Sequence, residues 1–142
     1  MTLDQIMEMS KRDMKLDDIS LDLESLRTPG LFDKYLKIHT LLKRELKKIE
    51  KRYSKIKREK VLYYTGRADR EIYEENPFDV KILKNELDTF MNGDDDMIKV
   101  QSEIDEMQLM FDYVERCLKN ILERQWHIKN IIEWRKFTNG VS

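Results

Sequence analysis

Eleven positions spaced alternately three and four residues apart run down the end of this chain: Met97, Val100, Ile104, Met107, Phe111, Val114, Leu118, Ile121, Gln125, Ile128 and Ile132. Gln125 is the one polar member. Spacing of this kind marks one face of an α-helix and excludes a strand, whose side chains alternate with a period of two. Such a stripe has to be covered by another helix. A second apolar set, Met110, Tyr113, Cys117, Leu122 and Ile131, flanks the first. A helix with two apolar sides is expected to pack within its own subunit on one side and against a second copy on the other. The seam residues Ile104, Met107, Phe111, Val114, Leu118, Ile121, Ile128 and Ile132 are the expected self-assembly contacts. Asp94-Asp95-Asp96 complement the dipole at the start of this helix, which should end between Phe137 and Gly140.

A second long helix is expected from Leu31 to about Thr65. Phe32, Tyr35, His39, Leu42, Leu46, Ile49, Tyr53, Ile56, Lys60 and Tyr63 follow the same spacing, and Gly66 is a natural stop. Thr28-Pro29-Gly30 should break the chain before it. Upstream, residues 3–15 read as a short helix capped by Thr2. Leu16 to Leu26 fits either another short helix or a short extended piece. Residues 67–79 read as a polar connector, and Val80–Met91 as a short helix capped by Asp79 and ended by Asn92-Gly93. The expected fold class is all-α: two long amphipathic helices, with short helices before and between them, oligomerising through a coiled-coil-like C-terminal helix. The expected divisions are 1–30, a short helical segment open to partner contact; 31–70, the basic helix; 71–96, an acidic connector and short helix; and 97–142, the oligomerisation helix.

Charge is what sets the first long helix apart. Of the eighteen residues from Lys43 to Lys60, ten are Lys or Arg and three are Glu, although the whole chain has a net charge of only -1. Residues 34–70 carry a net +10 and residues 71–106 a net -9. A concentrated basic segment points to phosphate. Arg44, Lys48, Lys51, Lys55 and Arg58 step down one face, and Lys47, Arg52, Lys57 and Lys60 widen it. The same face also fits the solvated back of an amphipathic helix laced by Glu45, Glu50 and Glu59. The surplus of positive charge argues against that reading, because a merely solvated face usually mixes signs. Tyr63 lies on the seam and reads as core. Tyr64 lies off it, with Arg67 three residues on, and reads as a surface on which a base could stack. The aromatic-basic stretch Arg124–Phe137 fits either a second binding surface or tryptophans packed beside the seam.

Catalytic chemistry finds little support. Two histidines and one cysteine have no zinc spacing, and no glycine-rich phosphate loop occurs. His39 reads as a packed seam residue, and the aspartate triplet as a helix cap before a cation site. No enzyme activity, cofactor or metal is expected. The single Cys117 fits a reducing compartment. The opening MTLDQIMEMSKRD has neither the basic start nor the apolar core of a secretion signal, and no stretch is apolar enough to span a membrane.

Leu42-Lys43-Arg44-Glu45-Leu46-Lys47-Lys48-Ile49-Glu50, the basic run that follows, and Val61-Leu62-Tyr63-Tyr64-Thr65-Gly66-Arg67 together resemble the UvsY family, the recombination mediators of T-even-like bacteriophages. That family has a basic helix running into leucine-x-tyrosine-tyrosine-serine-glycine-arginine. Its C-terminal helix is similar to Ile121–Phe137, with Ile128-Lys129-Asn130-Ile131-Ile132 before an aromatic-basic tail. The resemblance covers about residues 31–138. Val61 stands in place of the family leucine, Thr65 in place of serine, and Leu62 in place of an acid. The resemblance implies a non-enzymatic mediator forming ring-shaped homo-oligomers in the cytoplasm of an infected bacterial host. Its implied partners are single-stranded DNA, the phage recombinase and the phage single-strand-binding protein. It further implies that the basic pair carried over onto Arg58 and Lys60 contributes to DNA binding. With the charge pattern, the candidate DNA-binding residues are Lys51, Arg52, Lys55, Lys57, Arg58, Lys60, Tyr64 and Arg67. The competing expectation is a structural or DNA-packaging helical adaptor of a phage, with no preference for single strands.

Overall fold

The computed structural model describes residues 1–140, and among them every regular element is helical. These are α1 (Leu3–Asp13), α2 (Leu21–Tyr64), α3 (Arg70–Glu75), a single 3-10 turn (Lys84–Glu86), α4 (Leu87–Asn92) and α5 (Asp95–Thr138). The two long amphipathic helices are thus present, each of 44 residues. No helix is long and apolar enough to cross a membrane, among the described residues. The chain divides into two compact units, Met1–Lys43 with Gln108–Ser142, and Arg44–Met107. Each long helix contributes to both units.

In the first unit α1 is fixed at its start by a reciprocal cap. The Gln5 amide donates to the Thr2 hydroxyl at 3.2 Å, and the Thr2 amide donates to Gln5 Oε1 at 2.9 Å. Ile6 and Ser10, four residues apart, are its buried face, and Ser10 Oγ lies 3.4 Å from Cys117 Sγ. At the far end the Asp13 carboxylate accepts from Lys34 at 2.6 Å and from the Tyr35 hydroxyl at 3.0 Å. Leu21, Leu31, Tyr35, Val114, Ile121 and Ile128 complete the interior, with Tyr35, Val114 and Ile121 wholly enclosed. His39 packs as its seam position implied, its ring stacked on Phe111 at 4.2 Å between centroids.

Pro29 does not break the helix. It lies inside α2, which begins at Leu21 instead of Leu31. An internal proline loses one amide bond and crowds the carbonyl four residues back, at a cost of about 3 kcal/mol. Here Ser25, Pro29 and Gly30 all face solvent, so the freed Ser25 carbonyl can bond to water. Buried residues clamp the helix on both sides of the proline, Leu21 and Glu24 before it and Leu31 and Tyr35 after it. Arg124 adds a tie from α5: its Nη2 donates to the Glu24 carboxylate at 2.6 Å and to the Glu24 carbonyl at 3.0 Å.

The seam expected for self-assembly is largely covered within the single chain. Val114, Leu118, Ile121 and Ile128 are buried inside the single chain, and Ile104, Met107 and Phe111 are partly covered. Ile132 alone of that set is exposed. A residue already enclosed by its own chain has no surface left for a second copy. The apolar groups that α5 does leave in water include Leu122, Trp126, Trp134 and Phe137, the tryptophans at 58% and 65% exposure. Packing of the tryptophans beside the seam is therefore not found. Instead Lys129 lies over the Trp126 ring, and Trp134 stacks on Phe137.

The second unit is built on the later part of α2, the short helices, and the first turns of α5. Leu46, Met91, Met97 and Val100 are its buried aliphatic residues. The expected helix over Val80–Met91 is shorter than its periodicity suggested: residues 77–83 are irregular, and regular structure starts only at Lys84. Val80 and Leu83 are left exposed, so their apolar face has no packing to stabilise a helix there. Conversely, the polar connector contains α3, whose value lies in one residue, Tyr73.

Candidate nucleic-acid interface

The basic part of α2 has two sides. Successive residues turn about 100° around a helix. Lys51, Lys55 and Arg58 therefore share one outward stripe, flanked by Arg52 and Lys57, and all five are exposed. Lys60 falls on the opposite, inward side with Tyr53, Ile56 and Tyr63. The sequence-derived candidates are consequently not one surface. Lys51, Lys55, Lys57, Arg58 and Arg67 make no ion pair among the described residues, and the first four project from the helix into water. Arg52 pairs with Glu103. Lys60 and Tyr64 are engaged more deeply.

The end of α2 explains that engagement. Gly66 takes a positive φ of 74°, which an L-side chain disfavours, and the chain closes the helix in a Schellman turn. The Arg67 amide donates to the Leu62 carbonyl at 2.8 Å and the Gly66 amide to the Tyr63 carbonyl at 3.3 Å. From α3, the Tyr73 hydroxyl donates to the Tyr63 carbonyl at 2.7 Å and accepts from the Ala68 amide at 3.3 Å. The Tyr73 ring stacks on Tyr63 with centroids 5.4 Å apart. Tyr64 lies among Tyr63, Phe78 and Phe90, each within 5.8 Å of its ring centre. The ring is thus half-buried among aromatic side chains of the same chain. Tyr73 and Phe78 were missed because they sit in a segment whose charge dominates its composition. Two aromatic residues in an otherwise polar connector were the available signal.

Asp94 joins the two sides of this unit. It caps α5, its Oδ1 accepting from the Met97 amide at 3.0 Å. Its Oδ2 accepts from the Tyr64 hydroxyl at 2.6 Å and lies 3.2 Å from Lys60 Nζ. Burial alone would raise the Asp94 carboxyl, but these three donors outweigh it and hold the group below its ordinary range. Tyr64 moves the other way: burial and the Asp94 carboxylate both resist its ionisation. For Lys60, burial disfavours the charge, while Asp96 at 2.8 Å and Asp94 more than compensate, so it stays protonated beyond its usual limit. The reading of Asp94-Asp95-Asp96 as a cap thus holds for Asp94. Among the described residues no group of His, Cys, Asp and Glu is placed to hold a metal ion.

Beside these residues is an open cleft of about 1040 Å³, lined by the cations Arg52, Arg58, Lys60, Arg67 and Lys99 and by the acids Glu59, Asp69, Asp94, Asp95, Asp96 and Glu103, with Tyr63 and Ile72 among its apolar walls. The wide mouth suits an extended ligand running along the surface better than a small molecule enclosed in a pocket.

Residues 9–141 match the family model for the recombination, repair and ssDNA binding protein UvsY. The match begins well before residue 31, within α1. The recombination protein UvsY of Enterobacteria phage T4 is 27% identical over 140 residues, covering 99% of each chain. Crystal structures of the bacteriophage T4 recombination mediator protein UvsY have the same fold. The lattice type II form matches with a TM-score of 0.88 at 27% identity, covering 98% of both chains. The lattice type IV form gives 0.84 at 25% identity, covering 97% of this chain and 99% of the other.

Proposed function

The chain belongs to the UvsY family of recombination, repair and single-stranded-DNA-binding proteins, and from that premise we propose that it is a recombination mediator acting on single-stranded DNA as a homo-oligomer. It promotes loading of the phage strand-exchange recombinase in place of the single-strand-binding protein, in recombination and in recombination-dependent replication and repair, within the infected host's cytoplasm. The role is one of binding and hand-over without catalysis.

The observation that carries this reading is the unpaired outward stripe Lys51, Lys55 and Arg58, continued toward Arg67 at the helix end. Cations two turns apart on one helix can follow a flexible phosphate backbone without reading its bases. Lys57 adds charge at the side. One copy offers few phosphate contacts and binds weakly, by counterion release that salt suppresses. Several copies joined in a ring multiply that affinity through effective concentration. The proposed contact between copies uses the apolar groups that α5 leaves in water, Leu122, Trp126, Ile132 and Phe137. Apolar groups of this size in solvent mark an association surface.

Fluorescence anisotropy with labelled oligo-dT across a salt series tests the DNA face. Lys51→Ala, Lys55→Ala and Arg58→Ala together should flatten the salt slope by about two, as expected for losing three single-strand phosphate contacts. An unchanged slope would remove the stripe from the interface. Equal competition by duplex DNA would favour the packaging-adaptor role. Native mass spectrometry of the wild-type chain should give a closed multimer, and Trp126→Ala with Phe137→Ala should dissociate it.

A further inference from the structure

Two of the five cations that line the cleft are already paired. Lys60 Nζ lies 2.8 Å from Asp96 Oδ2 and 3.2 Å from Asp94 Oδ2, and Arg52 is paired with Glu103. The two aspartates differ in kind. The Asp94 side chain is 6% exposed and is also bound to the Met97 amide and the Tyr64 hydroxyl. It is a fixed part of the fold. The Asp96 side chain is 67% exposed, and Lys60 is its one partner among the described residues. The Glu103 side chain is 39% exposed, and its partner Arg52 53%. Asp96 and Glu103 are seven residues apart on α5, and Arg52 and Lys60 eight apart on α2. Both spacings are close to two helical turns, so the pairs are successive rungs between the same two helices.

Resting on the DNA-binding reading above, we propose that Asp96 and Glu103 are built-in competitors of the DNA backbone. In the free protein they occupy the positions on Lys60 and Arg52 that phosphodiester oxygens take when a strand enters the cleft. Exposed ion pairs of this kind are weak, so a phosphate can replace the carboxylate. The displaced carboxylate then remains close to the phosphate, repels it, and has to recruit a cation from solution. Affinity and salt dependence are both lower than the number of cations implies. A site tuned in this way holds a strand and also releases it, which a protein that passes DNA to another protein requires. Lys60 keeps Asp94 throughout, so the cation stays positioned while its outer partner changes.

The test is oligo-dT anisotropy with full-length Asp96→Asn and Glu103→Gln, beside Glu115→Gln and Glu106→Gln, which lie outside the cleft. The last two remove the same charge from exposed sites that make no ion pair, and so measure the general effect of a less acidic chain. Asp96→Asn and Glu103→Gln combined should bind about 2- to 30-fold tighter than wild type, the fold-change of relieving two such pairs. The combined variant should also have a salt slope steeper by up to about 0.7 per liberated cation. The controls should stay close to wild type. Circular dichroism melts check that each variant folds. Glu103→Gln lies within α5 and keeps the test readable should Asp96→Asn weaken the helix start. Should wild type bind while the paired variants gain no more than the controls, the competitor role is overturned and DNA binding stands. Absence of binding by every chain would overturn both.

Discussion

Glu24 and Asp94 sit at the starts of the two long helices, both are nearly closed off from water, and both are held by a cation from elsewhere in the chain. Around Glu24 the arrangement is sealed. Arg124 is 3% exposed and donates to both the carboxylate and the carbonyl, with Arg27 adding a third contact. Around Asp94 the arrangement opens on a cleft. Lys60 remains 22% exposed and shares itself with the solvent-facing Asp96. The same pairing of charges therefore serves two ends. A sealed pair can contribute only to the stability and register of the fold. An open one can exchange a partner while its buried half holds the cation in place.

Removing the cation on the sealed side should produce the largest effect. Arg124→Ala leaves Glu24 enclosed with only the half-exposed Arg27 beside it, and a loss of about 3 kcal/mol in chemical denaturation is expected, the low end for a broken buried pair. Adding Glu24→Gln to an Arg124→Met variant should recover most of that loss, because no uncompensated charge remains. A loss below about 1 kcal/mol for Arg124→Ala would erase the distinction between the two sites.

Acid separates the two sites next. The Arg124 hydrogen bond is the main cause that lowers the Glu24 carboxyl from its ordinary 4.5. The Asp94 carboxyl is lowered from 3.8, where burial opposes the shift and Tyr64, the Met97 amide and Lys60 outweigh it. A carboxylate with a depressed folded value stabilises fully above its unfolded value, and that stability is lost as pH falls through the folded one. In that interval the unfolded chain binds more protons, so stability should rise with pH. The urea midpoint should drop as pH falls through and below these ordinary values. Asp94→Asn should flatten the lower part of that curve and leave the Glu24 contribution in place. An identical curve for the variant would assign the whole acid response to the sealed site.

Tyr64→Phe probes the open site most gently. The ring stays among Tyr63, Phe78 and Phe90, and only the 2.6 Å bond to Asp94 is lost. A loss of about 1.5 kcal/mol is expected in thermal or chemical melts, with oligo-dT affinity kept. A large fall in affinity with unchanged stability would mean that the hydroxyl meets DNA directly.

Much of the fold was legible along the chain. The three-four spacing located both long helices, Thr2 marked the start of α1, and Gly66 marked the end of α2. The outward stripe was legible too, because helical geometry alone places Lys51, Lys55 and Arg58 together. Lys60 and Tyr64 were less so. Their positions near the seam were visible, but the carboxylate and rings that engage them come from segments read as connector and cap. Along α5, periodicity likewise identified which residues need covering and was silent on what covers them.

Local rules thus settled where the chain is helical, which faces are apolar and where positive charge collects. These depend on neighbours within a turn or two. Continuity through Pro29, concealment of Val114 and Ile121, and the pairing of Lys60 with Asp94 were settled by the packed fold. Each depends on residues distant in the chain, as with the 100 positions between Glu24 and Arg124. Burial and ion pairing act through space, and they override a breaker or claim a cation once folding has brought the distant groups together.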